Sequence, residues 1–106
     1  MKKIVTCFMN SYGQDRWQFL AELSEDVAPI QALAGNNLSG PILACGPDGT
    51  SIRFMRSYDA NEWVVGPSAP FRVEGMCGEG AHGVAIFGGN EGREIRYITG
   101  WGGAWN

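Results

Sequence analysis

Short apolar runs bounded by glycine, each followed by a turn and then by an alternating run, set the pattern of this chain. Residues 41–45 (Pro-Ile-Leu-Ala-Cys) and 84–87 (Val-Ala-Ile-Phe) are continuous apolar stretches of the kind that predict inner strands buried on both sides. Pro47-Asp48-Gly49 and Asn90-Glu91-Gly92 follow them and carry turn chemistry, because glycine reaches the positive φ that closes a hairpin. In residues 51–57 and 94–99, Ile52 and Phe54, then Ile95 and Tyr97, alternate with arginines and other neighbours, which predicts half-buried second strands. Trp63-Val64-Val65 predicts a third strand, and residues 71–76, with clean alternation, a fourth.

The pattern repeats. Residues 40–54 lie over residues 83–97 at an ungapped offset of 43, matching Gly40 with Gly83, Gly46 with Gly89, Gly49 with Gly92, Ile52 with Ile95 and Arg53 with Arg96; Gly35 and Gly78 extend the match upstream. Residues 8–17 lie over residues 54–63 at an offset of 46, with five of ten positions identical, and residues 97–105 form a shortened third copy of the same segment. Two interlocking offsets of similar length indicate a tandem repeat. A helix over residues 16–27, with Trp17, Leu20, Leu23 and Val27 at helical spacing, competes with a strand at residues 18–23. The alignment of Trp17 with Trp63 favours the strand, and Pro29 ends either element.

Sixteen glycines disfavour long helices, and 106 residues suffice for one domain with one modest core. The expected architecture is therefore all-β, a single domain over residues 1–106 of antiparallel four-stranded blade repeats, in approximate units 1–31, 32–74 and 75–106. A net charge of −3 gives no positive field to neutralise phosphates, so no nucleic-acid partner is expected. No segment approaches the apolar length of a membrane span, and the apolar stretch after Met1-Lys2-Lys3 is too short for a secretory signal. Cys7, Cys45 and Cys77, odd in number and widely spaced, read as reduced thiols of a cytoplasmic protein.

Residues 11–17 (Ser-Tyr-Gly-Gln-Asp-Arg-Trp) and 57–63 (Ser-Tyr-Asp-Ala-Asn-Glu-Trp) resemble the Asp-box of β-propellers, the turn motif placed between the second and third strands of a blade. Both are one residue short, and the first has Gly13 where Asp belongs. The resemblance implies a partial propeller of about two and a half blades, completed by a homo-oligomer, a dimer or trimer, because a ring closes only with enough blades. It implies a structural role for Ser57 and Asp59 in shaping the turn. Asp-box propellers include sialidases, lectins and assembly factors, but the arginine triad and Tyr–Glu pair of sialidases have no counterpart here, leaving a hydrolase of that type as the least favoured function.

Nucleophile, base and metal sets are weak. His82 is the single histidine, in a glycine-rich loop with Glu79 nearby, and three dispersed cysteines form no ligand cluster, so no catalytic residue, metal or cofactor is expected. Cys45 and Cys77 read as buried core thiols, and Gly88-Gly89-Asn90-Glu91-Gly92 as a hairpin turn, since no Lys-Ser/Thr follows to make a phosphate loop. The aromatics Tyr12, Trp17, Tyr58, Trp63, Trp101 and Trp105 recur at repeat positions. Trp17 and Trp63 are expected to pack between blades, whereas Tyr12, Tyr58 and Trp101, with Arg53 and Arg96 at matched sites, are the candidate ligand-binding residues. The leading expectation is a non-catalytic, oligomeric binding protein whose repeated pockets hold a glycan or other small polar ligand; the alternative is a protein-interaction or assembly module.

Overall fold

A computed structural model describes residues 7–8, 18–19, 29–35, 40–57, 62–80, 83–100 and 103–106. Among them the chain is mostly β, with nine strands in three antiparallel sheets: β1 (Cys7–Phe8) with β2 (Gln18–Phe19); β3 (Ile30–Ala34), β4 (Ile42–Cys45), β5 (Ser51–Phe54) and β6 (Val64–Val65) in sequential order; then β7 (Gly75–Gly80), β8 (Gly83–Phe87) and β9 (Ile95–Ile98). Each strand pairs with the next, so the sheets are meanders built from hairpins. The first strands of the two larger sheets, β3 and β7, lie against each other.

Both repeat offsets reappear as strand register. In the four-stranded sheet Leu33 faces Leu43 and Leu43 faces Arg53; 43 residues on, Met76 faces Ile86 and Ile86 faces Arg96. Ile42 faces Phe54 as Ala85 faces Tyr97, and Ala44 faces Ile52 as Phe87 faces Ile95. The 46-residue offset carries Cys7 opposite Phe19 onto Arg53 opposite Val65, and Phe8 opposite Gln18 onto Phe54 opposite Val64. At the end of the chain the Tyr97 and Asn106 backbones exchange both hydrogen bonds, at 3.1 and 2.8 Å, adding one residue of pairing beyond β9 where β6 pairs β5.

The main core lies between the two larger sheets. Residues directly opposite each other in a ladder share a face, so Ile42, Ala44, Ile52 and Phe54 form one face of the four-stranded sheet, and all are buried. Against them pack Val84, Ile86 and Ile98, with half-buried Met76. The repeat equivalents of Val84 and Ile86 in the first sheet are Pro41 and Leu43, which belong to its other face, so the two sheets stack with unlike faces together. Along β4 that other face is also covered, with Leu43, Cys45 and Met55 fully buried and Trp63 packed on Leu43 and Cys45, while Leu33 and Val65 on the flanking strands of the same face are exposed. Burial of all four residues of β4 follows from its place between two packed layers.

Several expectations need correction. Residues 71–76 are not the fourth strand of the first sheet. The segment after β6 is a connector whose Ala69 and Val73 plug the core, with the Val73 amide bonded to the Gly49 carbonyl at 3.0 Å, and the strand begins only at Gly75, opening the next sheet. Four strands are reached instead because Ile30–Ala34 precedes β4. Both Asp-box-like segments consequently fall between the strands of the β1–β2 and β5–β6 hairpins, the latter pair being the third and fourth strands of its sheet. Residues 84–87 are buried on one side only: Val84 and Ile86 point into the core and Phe87 is exposed. Gln18–Phe19 is a strand, and the rest of the segment at 20–23 lies outside the described residues.

Candidate functional site

The turns form where glycine places them. Between β4 and β5 the Gly49 amide bonds the Gly46 carbonyl at 3.0 Å with Gly49 at φ +68°. Between β8 and β9 Asn90, Glu91 and Gly92 are all left-handed, and the Gly88 amide bonds the Glu94 carbonyl at 3.1 Å, so this segment is a hairpin turn. These turns fix the register of β5 and β9, and with it the positions of the candidate arginines.

Arg53 and Arg96 stand at equivalent register, opposite Leu43 and Ile86. Arg53 is half-buried and its Nη1 donates to the Ile52 carbonyl at 3.0 Å. Arg96 is exposed, and its Nε donates to Glu94 Oε2 at 3.0 Å in an ion pair. They occupy equivalent faces of successive stacked sheets, so each belongs to its own repeat and the structure does not bring them together. Tyr12, Tyr58 and Trp101 lie outside the described residues, as do Trp17, His82 and Asp59. Trp63 and Trp105 are half-buried packing residues, and Trp105 Nε1 donates to the Pro67 carbonyl at 3.0 Å, pinning the connector.

A surface that pattern reading did not single out is the outer face of the second sheet. There Cys77, Ala85 and Tyr97 align across the three strands, as do Gly75, Phe87 and Ile95. Phe87 is 45 % exposed, Tyr97 52 % and Ile95 71 %, an apolar group of a kind that isolated surfaces rarely keep together. Cys77 is exposed here as well, a correction to its expected burial, because no layer of the described residues covers this face; neither Cys45 nor Cys77 forms a disulfide. The Phe87 ring occupies the space that a side chain at Gly75 would fill, so the cross-strand glycine fixes the ring on the sheet. A depression of about 160 Å³ lies among Met76, Cys77, Ala85, Ile86, Phe87 and Ile95.

A polar rim adjoins it. A cleft of about 450 Å³ runs from Phe87 past Gly88, Gly89, Glu91 and Gly92 to Arg72 and Glu74. Arg72 is held in place by Gln31 Oε1 at 3.0 Å and the Pro47 carbonyl at 3.3 Å, with Glu74 at 3.9 Å. An apolar centre with a charged edge has the anatomy of a protein-binding surface. The signal for it was in the repeat: the 43-residue offset lays Ala85, Phe87, Ile95 and Tyr97 over Ile42, Ala44, Ile52 and Phe54. Both sets are apolar, and only the three-dimensional arrangement separates the covered set from the open one.

Among the described residues no three or more His, Cys, Asp or Glu side chains gather as a metal site, and no helix is long and apolar enough to cross a membrane. No family model, no curated protein and no solved structure matches the chain.

Proposed function

We propose that this chain is a non-catalytic protein-interaction and assembly module, a partial β-propeller of stacked repeats that engages its partner through the outer face of the second sheet. The observation that carries this reading is the exposure of Phe87, Ile95 and Tyr97 at positions whose repeat equivalents, Ala44, Ile52 and Phe54, are core. Apolar side chains held on a flat sheet by hairpin register gain by being covered, at roughly 25 cal/mol per Å² of apolar surface removed from water. The Arg72–Glu74 edge supplies the polar rim that fixes orientation. The test is a photo-crosslinking residue placed at position 95, compared with one at exposed Asp48, in the cells that make the protein. Discrete protein adducts from position 95 alone support the reading, and no adduct from either position sinks it.

The recurrence of arginine at one register, Arg53 and Arg96, favours a second reading in which each repeat binds a glycan or another small polar ligand, with Tyr12, Tyr58 and Trp101 as stacking partners. Saturable binding in a glycan array that weakens in the Arg96→Ala protein is its expected signature. Silence across the array would dispose of it.

A further inference from the structure

We infer that the partner on the open face is a second copy of this chain, stacked head to tail, so that the next inter-sheet core forms between molecules. The inference rests on the interaction reading and names its partner. Within one chain, the face made by Ile42, Ala44, Ile52 and Phe54 is covered by the opposite face of the following repeat, through Val84, Ile86 and Ile98. The 43-residue offset, kept in three ladder pairs of β4–β5 and β8–β9, converts that covered face into Ala85, Phe87, Ile95 and Tyr97. The surface complementary to this face is therefore the opposite face of one more repeat.

A second copy brings such a repeat. Its β1–β2 hairpin pairs in the register of β5–β6, which makes it the corresponding strand pair of a further unit. A symmetric dimer would instead join two like faces, a contact made nowhere between the two larger sheets, whose shared core joins unlike ones. Side-chain size is redistributed for the new contact rather than reduced: where the covered face has Ile42 and Ala44, the open one has Ala85 and Phe87. Head-to-tail contacts are heterologous, and they end in a ring when the rotation closes.

Light scattering after size exclusion of the full chain tests the inference first. At least twice the mass of one chain is expected, falling to the single-chain mass in Ile95→Glu and Ile95→Lys variants whose far-ultraviolet circular dichroism is unchanged. A single-chain mass for the unaltered protein across the accessible concentration range would overturn it. The crosslinker at position 95 then reads orientation: adducts within residues 1–28 of another copy support head-to-tail stacking, and adducts within residues 83–98 of another copy overturn it. Adducts only with an unrelated protein overturn the second copy while leaving the interaction reading intact, and no adducts remove both.

Discussion

Ile52 and Ile95 are the same residue at the same register of two repeats, yet Ile52 is 1 % exposed and Ile95 71 %. Truncation should separate them by environment alone. Ile52→Ala leaves a cavity between the sheets and is expected to cost about 2–5 kcal/mol, whereas Ile95→Ala in dilute solution should stay within about 0.5 kcal/mol of the unaltered protein; urea unfolding of both variants measures the difference. Equal losses would mean that Ile95 is already covered within one chain. A different constraint acts at Gly40, where an added Cβ would overlap the Met55 carbonyl. Gly40→Ala is expected to lower stability by about 1–3 kcal/mol, through displacement of β4 from the end of β5, again read by urea. At this scale the sequence marked Gly40 by its repeat partner Gly83, and it marked Trp63 as a packing residue. It did not separate Cys45 from Cys77, because apolar neighbours in the sequence accompany both thiols and only the exposure of the second sheet's outer face tells them apart.

Hairpins were the most legible elements, since a turn of glycine with Asp or Asn between two apolar runs fixes both the bend and the pairing. The connector resembles a strand for a reason that is equally physical. Phe71 and Val73 point inward and Arg72 and Glu74 outward, so the alternation of a strand is present in a segment that plugs a core edge without pairing along its length. β3 is hard to read as a strand because Ile30–Ala34, with Gln31 and two alanines, has a single β-branched residue and no aromatic, and its Leu33 side chain is exposed. The β8–β9 hairpin carries the strain that can be tested. Glu91 is held at φ +61°, a conformation costing an L side chain about 1–2 kcal/mol, while glycine at that position adds about 0.5–1 kcal/mol of unfolded-state entropy. Glu91→Gly should therefore stabilise the chain by about 0.5–1 kcal/mol, shown by a higher urea midpoint with an unchanged slope. A lower midpoint would mean that Glu91 makes contacts worth more than its strain.

At the scale of the molecule, register and stacking together define a direction, because the first of the two larger sheets turns one kind of face to the second and the second meets it with the other kind. The tandem repeat itself was legible in the sequence, whereas the direction of stacking was not: apolar residues occupy both faces of the inner strand, and a linear pattern does not say which face meets which. An open terminal face has a thermodynamic consequence if copies cover it. Association couples folding to concentration, so each tenfold rise in protein concentration above the dissociation constant stabilises the folded chain by up to about 1.4 kcal/mol, which corresponds to a rise in Tm of roughly 5–10 °C for a domain of this size. The unaltered protein is expected to show this dependence in a thermal melt followed by circular dichroism over two decades of concentration. Ile95→Glu should melt at one temperature throughout, near the dilute limit of the unaltered protein, because a carboxylate in a closed apolar interface would be left without water or a partner. If the unaltered protein and the variant both melt independently of concentration, the open face is not covered by copies of this chain, and its apolar residues must be assigned to a different partner.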